Sequence, residues 1–154
     1  LKTAKGEPRL MSYESLADGG FQTGTMLGSG GFIVMDETTC IVRNLWTFAR
    51  FYHHESCGQC SPCREGTGWM EKVLHRIEHG HGHMHDIDLL VNVAKNIEGN
   101  TICPLGDAAA WPVASAIRHF REEFEYHVKY PEKVKDRKHF EKEPFVPEGK
   151  LVEA

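Results

Sequence analysis

The sequence predicts a mainly α-helical chain: a four-helix bundle preceded by the end of a small α+β unit and followed by an extended tail. Three observations carry that expectation. Four segments between about residues 38 and 128 repeat apolar side chains at helical spacing. Short junctions bearing Gly and Pro separate them, which is the pattern of packed antiparallel helices. The two ends of the chain differ from this middle in composition.

Residues 1–30 are turn-rich, with Gly6, Pro8, Gly19, Gly20, Gly24, Gly28 and Gly30. "GFIVMD", residues 31–36, is a short apolar run expected as a buried strand. The first helix is expected from near Thr38 to His53, capped by Thr38 or Thr39, with Ile41, Leu45, Phe48 and Tyr52 as its apolar stripe. A second should run from about Glu65 to His79 on Met70, Val73, Leu74 and Ile77, after a loop broken by Gly58 and Pro62. Asp86 is the expected N-cap of a third helix, with Ile87, Leu90, Val91, Ala94 and Ile97 inward and Gly99 closing it in a left-handed conformation. Pro112 suits the first turn of a fourth, carried by Val113, Ala116, Ile117, Phe120 and Phe124. The segment 129–154 is charge-rich and holds Pro131, Pro144 and Pro147, so an extended or disordered arm is expected. The implied domains are 1–36, 37–128 and 129–154.

A chain of 154 residues with 40% hydrophobic and 26% charged residues has the composition of a soluble globular protein. A net charge of −4 argues against a general binder of nucleic acid or acidic membranes. No apolar run approaches a bilayer-spanning length, and direct membrane contact is not expected. The chain opens at Leu1, as an excised domain or an incomplete chain would.

The chemistry is concentrated in "HESCGQCSPCREG", where Cys57, Cys60 and Cys63 are each separated by two residues. Such spacing lets three thiolates wrap one face of a small inorganic cluster. It matches the first three ligands of the bacterial iron–sulfur run C-x2-C-x2-C-x3-C-P, and departs at the fourth, where position 67 is Thr. Cys103, followed by Pro104, lies in an irregular junction two helices later. An out-and-back helix pair would return it to the first loop, which makes it the expected fourth ligand. Zinc is the rival, but structural zinc sites favour two pairs of cysteines over three plus one. With five cysteines and no secretory signal, disulfides are a weaker reading. Cys40, inside the first predicted helix, is expected to be a buried structural thiol. Arg64 would set positive charge beside an anionic cluster or be an ordinary ion-paired arginine.

Other features are weaker. "GTMLGSGGF" lacks the third glycine of a dinucleotide loop and precedes a strand rather than following one, so it is expected as a turn. His79, His81, His83 and His85 are expected as a polar loop with adventitious affinity for nickel or zinc. No Ser–His–Asp set or carboxylate pair stands out, and no catalytic residue is assigned.

"ESCGQCSPCREGTGWM", "IEGNTICPLGDAAAWPV" and "IRHFREEFE" together resemble the C-terminal part of the flavin-bearing, NADH-oxidising subunit of respiratory complex I, and "GSGGFIVMDETT" resembles the segment leading into it. The likeness runs from about Tyr13 to Tyr126. It implies a helical 4Fe-4S domain held by Cys57, Cys60, Cys63 and Cys103, taking electrons from reduced FMN and passing them to the next iron–sulfur subunit. It implies that the α+β start is the end of a β-grasp domain. FMN and NAD(H) would belong to the intact subunit only, with Pro104 and Leu105 near the flavin. Partners would be the small 2Fe-2S subunit and the large multi-cluster subunit, on the cytoplasmic face of a bacterial membrane or the matrix side in a mitochondrion. Cysteine spacing alone also admits diaphorase subunits of NAD-linked hydrogenases or formate dehydrogenases. A zinc-stabilised helical interaction module is the reading from a different class.

Overall fold

The computed structural model describes residues 12–17, 28, 30–36 and 38–135. It divides into two compact units, 1–35 and 36–154. In the first, α1 (Tyr13–Ala17) is a single short helix. The run 30–36 forms no strand: it is irregular, and Phe32, Ile33, Val34 and Met35 are exposed. The expected buried strand is therefore corrected. A strand needs a partner to satisfy its backbone, and a short apolar run does not by itself supply one.

The second unit is helical: α2 (Ile41–Glu55), α3 (Ser61–Glu78), α4 (Met84–Ile97), α5 (Leu105–Lys129) and the short α6 (Pro131–Lys135). α2 packs on α3 and α5, α3 on α4 and α5, and α4 on α5, so four helices share one core. Its interior is Val42, Leu45 and Ala49 of α2, Met70, Leu74 and Ile77 of α3, Ile87, Leu90 and Ile97 of α4, and Val113, Ile117 and Phe124 of α5. Each such large aliphatic or aromatic side chain contributes about 1.5–3 kcal/mol through burial. The stripes expected for α3 and α4 face this core, with Val91 only half-buried. In α2 the buried face is Val42, Leu45, Trp46 and Ala49, one position on from the expected stripe, while Ile41, Phe48 and Tyr52 lie at its edge. Trp46 and the small Ala49 reach the interior because α2 sits between two neighbours and buries a wider arc.

Four helix boundaries differ from expectation, each for a local reason. α2 starts at Ile41 because Cys40, extended at φ −74° and ψ 113°, caps it through its sulfur, which accepts the Arg43 N–H at 3.5 Å. Thr38 and Thr39 instead donate their hydroxyls to Asp36, at 2.7 and 2.9 Å. α3 starts at Ser61, since Pro62 lies in its first turn, where a missing N–H costs nothing. α4 starts at Met84. Asp86 is three residues inside, and its carboxylate accepts the N–H of the capping His83 at 2.8 Å. That carboxylate is fully buried and paired with Arg76, which ties the α3–α4 turn. α5 starts at Leu105 and carries Pro112 in its interior, with a bend at Phe120 (φ −129°, ψ 28°). Gly99 takes the left-handed conformation expected of it, at φ +71°.

The helical region also runs past residue 128. α5 ends at Lys129 and α6 follows, with Val134 buried, so the first residues of the expected arm are ordered. Residues 136–154, the rest of that arm, lie outside the described residues.

Candidate metal centre

The cysteine loop leaves α2 at Glu55 and enters α3 at Ser61. Cys57 is exposed, Cys60 is half-buried at the N-cap of α3, and Cys63 is buried in its first turn. Gly58 takes φ +78°, a left-handed turn that suits glycine and lets the loop double back. Arg64 reaches across it, donating to the Gly58 carbonyl at 2.9 Å, to the Ser61 hydroxyl at 3.3 Å and to Glu65 at 2.9 Å. Its charge is thus partly spent on Glu65, and it fastens the loop. Ser56 brings its hydroxyl to 3.3 Å from Cys63 Sγ. Thr67, at the position where the bacterial run has its fourth cysteine, donates to the Cys63 carbonyl at 2.7 Å and lies in the core.

The second loop, 98–104, joins α4 to α5 and is clamped at both ends. Asp107 accepts the Gly99 N–H at 2.8 Å, and Glu98 accepts the Trp111 indole N–H at 2.7 Å. Within it, Thr101 donates its hydroxyl to the Cys103 carbonyl at 2.9 Å. Thr101 lies so close to Gly106 that a Cβ there would overlap its Oγ1 and stand 2.6 Å from its Cγ2. Apart from Gly99, expected as a helix end, none of these positioning residues was singled out from the sequence. Only Gly106 and Asp107, at the start of a helix, carry a local signal that could have found them.

The two loops meet. The Ile102 N–H points at Cys60 Sγ at 3.4 Å, across 42 positions of sequence. Cys103, exposed, adjoins that contact, and Pro104 and Leu105 follow it as the N-cap and first residue of α5. The N-termini of α3 and α5 thus lie beside the thiols, and helix N-termini favour negative charge.

Residues 43–127 match the family described as the NADH-ubiquinone oxidoreductase-F iron-sulfur binding region. The chain belongs to this iron–sulfur binding family. It is similar to the F-type subunit of the NADH-quinone oxidoreductase of Rickettsia felis, at 53% identity over 119 residues, covering 77% of this chain and 27% of that protein. It is also similar to an F-type subunit of the NADH-quinone oxidoreductase of Rhizobium meliloti, at 48% over 122 residues, covering 79% and 27%. Among solved structures, an NAD+-reducing NiFe-hydrogenase in the H2-reduced state matches with a TM-score of 0.59 and 35% identity, over 62% of this chain and 17% of that one. The chain spans about a quarter of the length of the curated relatives it matches.

The donors suit an iron–sulfur cluster better than a single ion. Tetrahedral zinc with Zn–S near 2.3 Å holds its thiolates about 3.8 Å apart. No three of the four loop thiols come within 4.8 Å of one another; among the described residues the one set of three donors that does is Cys40, Glu78 and His127. Four thiols, three from one loop and one from the loop that meets it, are the kind of donor set a 4Fe-4S cluster takes.

The histidine tract is not gathered into a site. His79 stacks on His75 at 4.0 Å and His83 on His85 at 5.6 Å, and the second pair lies in the first turn region of α4. Partial desolvation, then the neighbouring His79, hold the imidazole of the exposed His75 below its ordinary value. No helix among the described residues is long and apolar enough to cross a membrane.

Proposed function

We propose that this chain is the electron-relay part of the NADH-oxidising subunit of complex I, with Cys57, Cys60, Cys63 and Cys103 holding a 4Fe-4S cluster. The observation that supports the ligand set is the Ile102 N–H aimed at Cys60 Sγ, because it lays the Cys103 loop against the cysteine loop. The cluster supplies one-electron transfer between reduced FMN in the intact subunit and the next iron–sulfur subunit.

The chain's own residues hold and tune that centre. An amide donating to a ligand sulfur stabilises the more negative, reduced state and raises the potential, so Ile102 acts through Cys60. The N-termini of α3 and α5 act in the same direction. Arg64, bound to the Gly58 carbonyl, keeps the loop in its ligating shape. Pro104 and Leu105 lie where the flavin of the intact subunit would approach. Residues 1–36 are the end of a β-grasp domain, the cluster domain runs from 37 on through α6, and 136–154 are an arm toward other peripheral-arm subunits. The small 2Fe-2S and large multi-cluster subunits are the partners, on the cytoplasmic face of the membrane. The hydrogenase likeness keeps a diaphorase role as a second reading; higher identity to the NADH-quinone oxidoreductase proteins favours complex I.

The test is anaerobic purification with metal counting. A brown chain with about four irons and matching labile sulfide, giving an EPR signal on reduction, is expected. Cys103→Ser should abolish or convert that signal, and Cys40→Ser should leave it. A colourless chain whose zinc disappears in Cys103→Ser would overturn the relay.

A further inference from the structure

A second constellation lies away from the cysteine loops, where the start of α2 meets the ends of α3 and α5. Cys40 Sγ is 3.4 Å from His127 Nε2 and 4.0 Å from Glu78 Oε2, and Glu78 Oε2 is 3.4 Å from His127 Nδ1. All three residues are more than nine-tenths buried, at 8%, 4% and 0% exposure for Cys40, Glu78 and His127. Their donor atoms lie within 4.8 Å of one another. Glu123, one turn before His127 on α5, is also buried and accepts the Ile41 N–H at 2.9 Å.

Nothing in the relay needs this group, and its placement runs against ordinary preferences. Cysteine is not a usual N-cap, and Thr38 and Thr39, better suited to the role, stand just before it. Glu78 is the last residue of α3, at the negative end of the helix, where a carboxylate is disfavoured. His127 lies in the last turn of α5, so a second helix C-terminus faces the same spot. The start of α2 adjoins the same spot, and its Ile41 N–H is taken by Glu123. Arg43 lies 3.8 Å from Glu78 Oε1, and Oε2 is the oxygen facing Cys40 and His127. A sulfur, a nitrogen and an oxygen donor from three helix ends thus converge in the interior.

We propose that Cys40, Glu78 and His127 bind a zinc ion. Tetrahedral zinc with bonds of about 2.0–2.3 Å spaces sulfur, nitrogen and oxygen donors about 3.3–3.6 Å apart; one donor atom from each of the three residues lies within 4.8 Å of the other two, so small side-chain shifts close the site. The thiolate sets aside magnesium and calcium, which take oxygen, and a mixed sulfur, nitrogen and oxygen set suits zinc. On binding, the Cys40 thiol releases its proton to solvent, and the neutral imidazole and the carboxylate donate without further change. The thiolate and carboxylate together neutralise the dication, so the buried site carries no net charge. Arg43 on the second carboxylate oxygen fixes the carboxylate, as outer partners of metal ligands do. The ion fastens α2, α3 and α5 at the end of the bundle away from the α2–α3 loop.

The probe is zinc alone, counted in the cluster-loaded full chain after desalting. One zinc per chain is expected in addition to the iron. His127→Gln and Cys40→Ala should each weaken zinc retention by tenfold or more with the iron content unchanged. Because these side chains are buried, a second variant guards against misfolding. With Cys57, Cys60, Cys63 and Cys103 all replaced by Ser, Cys40 is the sole thiol. Cobalt(II) should then give a thiolate charge-transfer band saturating at one equivalent, and zinc should displace it. The proposal is overturned if the cluster-loaded chain holds no more zinc than its His127→Gln variant. It is equally overturned if the zinc is lost only when His79, His81, His83 and His85 are replaced.

Discussion

Gly106→Ala is the sharpest probe of how the Cys103 loop is held. A Cβ at position 106 would overlap Thr101 Oγ1 and stand 2.6 Å from its Cγ2 and 2.9 Å from its Cβ. Ordinary contact begins near 3.4 Å, so Thr101 must retreat by about 1 Å. Thr101 is not free to rotate away, because its hydroxyl holds the Cys103 carbonyl and the loop is pinned by Glu98 and Asp107. Overpacking of this kind costs about 1–3 kcal/mol. In a helical unit of about 100 residues each kcal/mol lowers the melting temperature by roughly 4–8 °C, so a fall of at least about 4 °C is expected. The displaced Cys103 should also lower iron and labile sulfide per chain after reconstitution. Thr101→Ala removes the two closest atoms and should restore part of both losses when combined with Gly106→Ala. That coupling, measured as a double-mutant cycle, should reach about 1 kcal/mol. A Gly106→Ala chain with unchanged melting and full iron would refute the account of the loop.

Two further outcomes can be checked on the scaffold. Asp86→Ala removes a fully buried carboxylate from Arg76 and from the His83 N–H; breaking buried pairs costs about 3–5 kcal/mol, and the half-exposed Arg76 can turn to water, so a loss near about 3 kcal/mol is expected. Urea unfolding measures it, and a loss below about 1 kcal/mol would show that the turn is held by other means. Partial desolvation and then His79 hold the exposed His75 below its ordinary value, so the folded chain resists a proton that the unfolded chain accepts. Its contribution is therefore intact above about pH 6.5 and lost as pH falls below that value. The drop in stability between pH 7.5 and 5.5 should shrink in His75→Gln, and an undiminished drop would contradict the sign.

The helical middle was legible because its periodicity is strong where the core is simple. Met70, Val73, Leu74 and Ile77 lie on the buried face of α3, as their spacing demands. The buried face of α2 lies one position on from the expected stripe because α2 packs on both α3 and α5, with Trp46 against the edges of His75 and His79. Helix starts were the weakest part. Pro62 and Pro112 look alike in sequence, yet one opens a helix and the other lies inside one, and only the neighbouring turns decide. The return of the 98–104 loop to the first loop was legible because a helix hairpin brings the chain back. The contacts that clamp that loop were not, since Glu98–Trp111 and Gly99–Asp107 are contacts of tertiary packing. The Cys40 group escaped for the same reason: its members stand at positions 40, 78 and 127 and share no motif.

The meeting of Ile102 with Cys60 has a bearing on upkeep. A cluster bound by both Cys60 and Cys103 closes a ring of about 40 residues, and cross-linking such a ring in an unfolded chain is worth about 4 kcal/mol by chain entropy. Here the ring is already shut from inside, by the α3–α4 core and by Arg76 on Asp86. In the folded chain the cross-link therefore bears on the two loops at the ring's mouth, while the helices behind them are held by their own packing. Oxidative loss of the cluster should slacken that mouth and leave the helices standing. A damaged centre can then be emptied and refilled in place, without dismantling the protein around it.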